Sequence, residues 1–511
     1  MGREETGYRV RAVRTAAVMT AAAMAAACTG AGAGAGAAKI PAVQSTPTGY
    51  YQQKLEWTDC KDGFQCADLK VPLDYAHPAS GRLTLKVIRL PARNQAHRIG
   101  SLVTNPGGPG GSGVAFVRDS GRSFGAALRD SFDLVGFDPR GVGGSDPVRC
   151  LTNQQLDQYF ATDSSPDTPA EVGALVATSK GFAAGCQARS ARELPFVGTI
   201  SAAHDMDILR SALGDKKMTY YGASYGTYLG AYYANEFPKN VRALVLDGAV
   251  DPKLSADELN IEQAKGFETA LRAFAADCIK VAGCPLGTTS VDDAVSKVSA
   301  LQARADAAPL TSTLGDGRVV GEALLTLGIA TALYQKEAWP LLRLALTQAN
   351  AGDGSMLLRL GDQLVERQPD GSYTNQSEAN MAVNCVDKPY STDLAHYKQA
   401  AAQAKRIAPR FGPFVAWGSL PCAYWPVRVT APPRALAAAG SAPIVVVGTT
   451  RDPATPYQWA KNLAAELKSG VLLSLDGDGH TAYLQGQPCI TKAVETYLLT
   501  EKPPAPGTLC H

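Results

Sequence analysis

The sequence predicts an α/β architecture: a mostly parallel sheet with helices on both faces, split by a large helical insertion. Three observations predict it. Short β-rich runs alternate with helical stretches from about Leu83 to Val250 and resume after Arg434, and continuous apolar strands separated by helices make a parallel sheet covered on both sides. Between those regions the strand pattern stops, and Ala, Leu, Gln, Glu and Lys recur at helical spacing, as in "ELNIEQAKGFETALRAFAADC". The length of 511 residues exceeds one ordinary domain but fits a large core with an inserted one, and 45% hydrophobic residues can fill it.

Residues 1–28 have the layout of a signal peptide: basic residues in "GREETGYRVRAVR", then the apolar "TAAVMTAAAMAAAC" with small residues after it. Two readings of Cys28 stand open. It is either an acylated lipoprotein cysteine, which would anchor the chain to a membrane, or part of an ordinary secretory signal. Ala25 stands where lipoprotein motifs carry Leu. Residues 29–52 follow as a Gly/Ala-rich flexible linker. The first part of the core is expected over 53–250, the helical cap over 251–434 and the second part of the core over 435–511. The strand candidates are, in order, "LTLKVIRL", "GSLVTNPGG", "FDLVGFDPRG", "MTYYGASYG" and "VRALVLDGAV", then "APIVVVGTTRD" and "GVLLSLDGDGH" after the cap. The insertion is expected between the sixth and seventh strands, and a last helix near "CITKAVETYLL".

Charge is nearly balanced, 49 basic against 47 acidic side chains. That removes the electrostatic case for nucleic acid. Ten cysteines follow the signal, an even number that reads as disulfides in an exported chain. Neighbours in sequence suggest Cys60 with Cys66, Cys150 with Cys186, Cys278 with Cys284, Cys385 with Cys422, and Cys489 with Cys510. Neither CxxC nor HExxH occurs, so no metal is expected.

The chemistry centres on Gly222-Ala223-Ser224-Tyr225-Gly226, a G-x-S-x-G turn directly after a strand and directly before a helix. Small residues two before and two after let a serine occupy a strained turn that lifts its Oγ into the cleft. Downstream, His480 ends the loop "LSLDGDGH", and Asp452 in "GTTRDPATP" follows a strand, giving the order Ser, acid, His. Asp247 is the runner-up acid, while Asp476 and Asp478 lie too near His480 in sequence. The loop "TNPGGPGGSG" supplies glycine N–H groups for an oxyanion. Its Gly108, Gly110 and Gly113 also fit G-x-G-x-x-G, but two prolines interrupt the loop and no nucleotide is expected. Asp138 and Arg140 in "DPRGVGGSD" are candidates to pair and brace the cleft. Tyr220, Tyr221, Tyr228, Tyr232 and Tyr233 read as packing residues.

Taken together, "NPGGPGGSG", "DLVGFDPRGVGGSD", "YYGASYGTYLGAYYANEFP", "LVLDGAVDP", "GTTRDPATP" and "GDGHTAY" resemble secreted α/β-hydrolase peptidases of the tripeptidyl and prolyl aminopeptidase family. The resemblance implies an α/β-hydrolase fold with a helical cap and no cofactor. It puts the nucleophile on Ser224, the acid on Asp452, the base on His480, and the oxyanion donors on Gly107, Gly108 and Tyr225. Prolyl iminopeptidases carry HGGPG and a Trp after the serine. Here Pro106 and Tyr225 stand at those places, which favours the tripeptidyl branch. An exopeptidase of this kind needs an acidic group for the substrate's ammonium, and Asp387 and Glu268 are the candidates. The expected partners are peptides with free N-termini, met by a monomer. A carboxylesterase or lipase-like enzyme is the alternative, because the same triad serves esters; a catalytically dead binding protein would have lost Ser224 or His480.

Overall fold

The computed structural model describes residues 47–429 and 433–511. The signal segment, Cys28 and most of the linker lie outside the described residues. The linker reading is corrected at its end: Pro47–Tyr51 is a short helix, and Tyr50 and Tyr51 pack against the core.

Ten strands form one sheet: β1 (Thr58–Asp59), β2 (Gln65–Pro72), β3 (Arg82–Leu90), β4 (Gly100–Asn105), β5 (Phe132–Phe137), β6 (Met218–Ala223), β7 (Val241–Asp247), β8 (Ile444–Arg451), β9 (Gly470–Asp478) and β10 (Thr508–Cys510). Their spatial order is β1-β2-β3-β5-β4-β6-β7-β8-β9-β10. The pairings among β1, β2, β3 and β5 are antiparallel and all the others are parallel. The sheet is that of an α/β hydrolase. Every residue of β4, β5 and β6 is buried, as strands covered on both faces must be. Side chains alternate between the two faces. Val103, Tyr220, Leu244 and Val446 point into one core, and Leu102, Tyr221, Val245 and Val445 into the other.

Chain direction along the sheet reverses around β4, with β5 on one side and β6 on the other. Open α/β sheets bind ligands at the carboxyl ends of the strands at such a switch point. The loops leaving β4 and β6 are the glycine-rich loop and the serine turn.

The helical insertion falls between β7 and β8, the seventh and eighth strands and not the sixth and seventh. The expectation counted too few strands because β1 has only two residues and β2 belongs to an antiparallel edge. Cap helices Ala256–Cys278, Glu322–Leu333, Trp339–Asn350 and Ser355–Leu364 share a core with Phe267, Leu271, Phe274, Leu325, Ile329, Leu346 and Phe411. The connection between β5 and β6 contributes to the same cover. Its Leu156, Phe182 and Cys186 pack with Val383, Cys385 and Trp425. All five cysteine pairs expected from neighbouring positions are disulfides. Among the described residues no helix is long and apolar enough to cross a membrane.

Candidate active site

Ser224 stands between β6 and the helix Tyr225–Glu236 with φ 56° and ψ −127°. A non-glycine residue in that region is strained, and such strain persists only where the surroundings enforce it. Here the Ser224 N–H donates to Asp247 O at 2.8 Å, and its carbonyl accepts from Thr227 N and, at 2.6 Å, from Thr227 Oγ1. The flanking glycines permit the turn, since a Cβ on Gly222 would lie 2.4 Å from Gly226 O.

The His480 loop is held from two directions. Asp247, buried at the end of β7, accepts from Ala482 N, Tyr483 N (2.9 Å) and Tyr221 Oη (3.0 Å). It carries the loop and makes no hydrogen bond to the imidazole. On the other side, the His480 N–H donates to Tyr334 O of the cap at 2.7 Å. The ring's Nδ1 lies 2.9 Å from both carboxylate oxygens of Asp452. A carboxylate only accepts, so Nδ1 carries the hydrogen and Nε2 is left with its lone pair. Nε2 is buried and has no protein partner among the described residues. Burial pushes the imidazole pKa down, but the Asp452 charge and hydrogen bond, with Asp247 behind it, outweigh that and raise it. Asp452 is in turn fixed by Ala454 N (2.9 Å), Thr455 N (2.8 Å) and Thr455 Oγ1 (2.9 Å). Asp476 and Asp478 instead pair with Arg451.

The glycine-rich loop crosses above Ser224. A Cβ on Gly107 would lie 2.8 Å from Ser224 Cβ and 3.0 Å from Tyr225 N, so only glycine brings the loop this close. Its own N–H donates to Asn105 Oδ1 at 2.9 Å, which removes Gly107 as an anion donor. Gly108 and Tyr225 remain, both lining the cavity over Ser224. The expected pairing of Asp138 with Arg140 does not occur. Asp138 accepts from Ser112 Oγ (2.6 Å), Val114 N and Gly144 N, fixing the start of the helix after the loop. Arg140 is fully buried on Asp205.

Ser224 sits where two lobes of a cleft meet. The larger, 640 Å³, is lined by His480, Gly107, Phe116, Phe160 and Glu366. The smaller, 340 Å³, is lined by Tyr225, Tyr228, Asn384, Asp387 and Lys388. Both volumes are typical of small-ligand sites. Of the two acids read as amine candidates, Asp387 lies in the smaller lobe. Burial pushes its carboxyl up to about 6, against hydrogen bonds from Thr199 and the charge of Lys388. Asp387 makes no ion pair among the described residues. Glu268 is corrected: its carboxylate is bound to Arg410 inside the cap and lines neither lobe. Three contributors escape a sequence reading. They are Thr455, Thr199, which contacts Asp387, and Asn380, whose amide donates to Pro109 O at 3.0 Å. Thr455 lies three residues after Asp452 in a turn, a spacing that could have flagged it.

Comparison with known proteins shows which ones this chain resembles. Residues 408–510 match the family described as TAP-like protein. Over 484 residues the chain is 39% identical to serine protease Hip1 of Mycobacterium tuberculosis, spanning 90% of this chain and 91% of that protein. Carboxylesterase B of the same species is 38% identical over 502 residues, 93% of this chain and 94% of the relative. Tripeptidyl aminopeptidase of Streptomyces lividans is 34% identical over 492 residues, 93% and 88% respectively. Similarity this extensive, over both parts of the sheet and the cap alike, decides the matter. The chain is a serine peptidase/hydrolase and belongs to the TAP-like family of α/β hydrolases, alongside Hip1 and the Streptomyces tripeptidyl aminopeptidase.

Proposed function

We propose that the protein is an exported serine aminopeptidase that releases short peptides, tripeptides foremost, from free N-termini. The observation that carries the reading is Asp387: a buried carboxylate that makes no ion pair among the described residues and lines the same lobe as Ser224. A buried charge without a partner is costly, and a substrate ammonium would supply the partner. Ser224 Oγ attacks the scissile carbonyl as His480 Nε2 takes its proton. Asp452 keeps the imidazole tautomer and stabilises the imidazolium. The N–H groups of Gly108 and Tyr225 hold the oxyanion. His480 then protonates the leaving amine, so the leaving segment occupies the larger lobe, which His480 lines, and the acyl segment the smaller. Water clears the acyl-enzyme by the same steps reversed. With the amine held on Asp387, the volume of the acyl lobe limits how many residues fit between the amine and the cut.

The test is hydrolysis of Ala-Pro-Ala p-nitroanilide with a free and with an acetylated amine, beside a short-chain ester. Cleavage of the free-amine peptide with at least tenfold preference over the acetylated one, lost about 10⁴-fold or more in Ser224→Ala, supports the reading. Turnover of the ester with neither peptide cut would assign a carboxylesterase instead, a reading favoured by the relative that bears that name.

A further inference from the structure

Tyr225 lines the cleft beside Ser224. On the proposed function its backbone N–H meets the reacting carbonyl, and its side chain begins a line of hydrogen bonds that ends at Asp387. Thr199, the first residue of the helix Thr199–Ala212, is only 1% exposed. Its N–H donates to Asp387 Oδ1 at 2.8 Å, and its hydroxyl lies 2.5 Å from Asp387 Oδ2. The same hydroxyl oxygen contacts the Tyr225 hydroxyl. An ionised carboxylate only accepts, so the single Thr199 hydroxyl proton goes to Asp387, and Tyr225 must donate to the Thr199 oxygen. Every bond in the line therefore has one direction, from Tyr225 through Thr199 to Asp387.

The three residues come from three different elements. Asp387 ends the cap helix Gln376–Asp387, Thr199 begins a helix of the β5–β6 connection, and Tyr225 begins the helix after the serine turn. Lys388, the nearest cation, is directed elsewhere: its Nζ donates to Leu254 O at 2.9 Å and lies 5.1 Å from the Tyr228 ring centre. Thr199 alone thus holds both oxygens of Asp387 among the described residues, and it does so through one N–H and one O–H.

We infer that Thr199 is the positioning residue for the amine end of the substrate. It fixes the Asp387 carboxylate so that its remaining lone pairs meet an ammonium, and it ties that carboxylate to the residue whose N–H receives the oxyanion. Thr199 is thereby a determinant of the preference for free amines over blocked ones. The inference rests on reading Asp387 as the amine anchor.

The experiment measures KM and kcat for the free-amine and acetylated tripeptide p-nitroanilides, and for the ester, in Thr199→Val, Thr199→Ala, Thr199→Ser and Asp387→Asn, with thermal unfolding showing in each that the protein is folded. Thr199→Val and Thr199→Ala are expected to raise KM for the free-amine peptide about tenfold, the size of a lost bond to a charged group. KM for the acetylated peptide and for the ester should stay within about twofold. Thr199→Ser keeps the hydroxyl and should keep the preference. Unchanged preference in Thr199→Val and Thr199→Ala, with Asp387→Asn losing it, overturns the role of Thr199. Loss in Thr199→Ser as well overturns it too, because the methyl group's packing would then be the cause. A preference that survives Asp387→Asn removes the amine anchor itself, and the two failures are thus told apart.

Discussion

At the scale of residues, the candidate machinery is a set of side chains whose protons have only one place to go. His480 has its pKa raised above the ordinary 6.5 because the charge of Asp452 outweighs burial. A general base works only when neutral. The sign is therefore fixed: kcat/KM should fall as pH drops through the raised value, with the acidic midpoint above 6.5, measurable on the ester so that substrate amine titration does not intrude. Thr455 donates to Asp452 Oδ2 and lies 3.3 Å from His480 Nδ1. Thr455→Val removes a hydrogen bond to a charged group, so kcat should drop about tenfold to a hundredfold while KM stays within a factor of about two; unchanged kcat would deny Thr455 any part in orienting the acid. The places of Ser224, Asp452 and His480, on a strained turn and two strand-end loops, were legible in the sequence because such elements have chain-order signatures, and so was the pairing of Asp452 with His480. Gly107 and Glu268 were misread for a different reason. Which N–H a neighbouring Asn105 occupies, and which carboxylate an Arg410 claims, depends on residues far apart in sequence meeting in space.

At the scale of elements, strands that are apolar throughout announced themselves, and the antiparallel edge did not. β1 is two residues long and β2 mixes polar and apolar positions, so neither carries the continuous pattern that marked β4 to β7. The cap was legible as helix but not as chemistry. Where it meets the β5–β6 connection, oxygens of Asp163 and of the cap's Asp306 and Glu322 lie within 4.8 Å of one another, half-buried or exposed. Burial, followed by the charges of Asp163 and Asp306, pushes the Glu322 carboxyl up to about 7. Its folded pKa exceeds the unfolded one, the reverse of the usual carboxylate case. The fold therefore favours the protonated form, and stability is lost as pH rises from about 4.5 through 7. Glu322→Gln should raise Tm at pH 8 and leave it nearly unchanged at pH 4, as thermal unfolding at both values would show. Equal shifts at both would mean that packing, and not charge, sets the effect.

At the scale of the whole molecule, long-range pins hold the sheet, the β5–β6 connection and the cap together. Arg140 is buried on Asp205 in a bidentate pair and also donates to the carbonyls of Pro72, Leu73 and Phe196. Removing one partner leaves the other's charge buried and alone, so Asp205→Asn should cost about 3–5 kcal/mol in denaturant unfolding. A loss below about 1 kcal/mol would place the pair among dispensable contacts. The five disulfides were readable because each joins neighbouring cysteines; the pairing of Arg140 with Asp205, 65 residues apart, was not.

One contact changes how the cap must be pictured. The Gln376–Asp387 helix lies directly on the glycine-rich loop, with Asn380 donating to Pro109 O and the backbone of Gly110 packed against Gln376 and Asn380. On the proposed function, a cover resting on the loop beside Ser224 would disturb that loop if it swung away, so entry would be governed as in a sieve and not as by a door, with chain ends threading a fixed aperture.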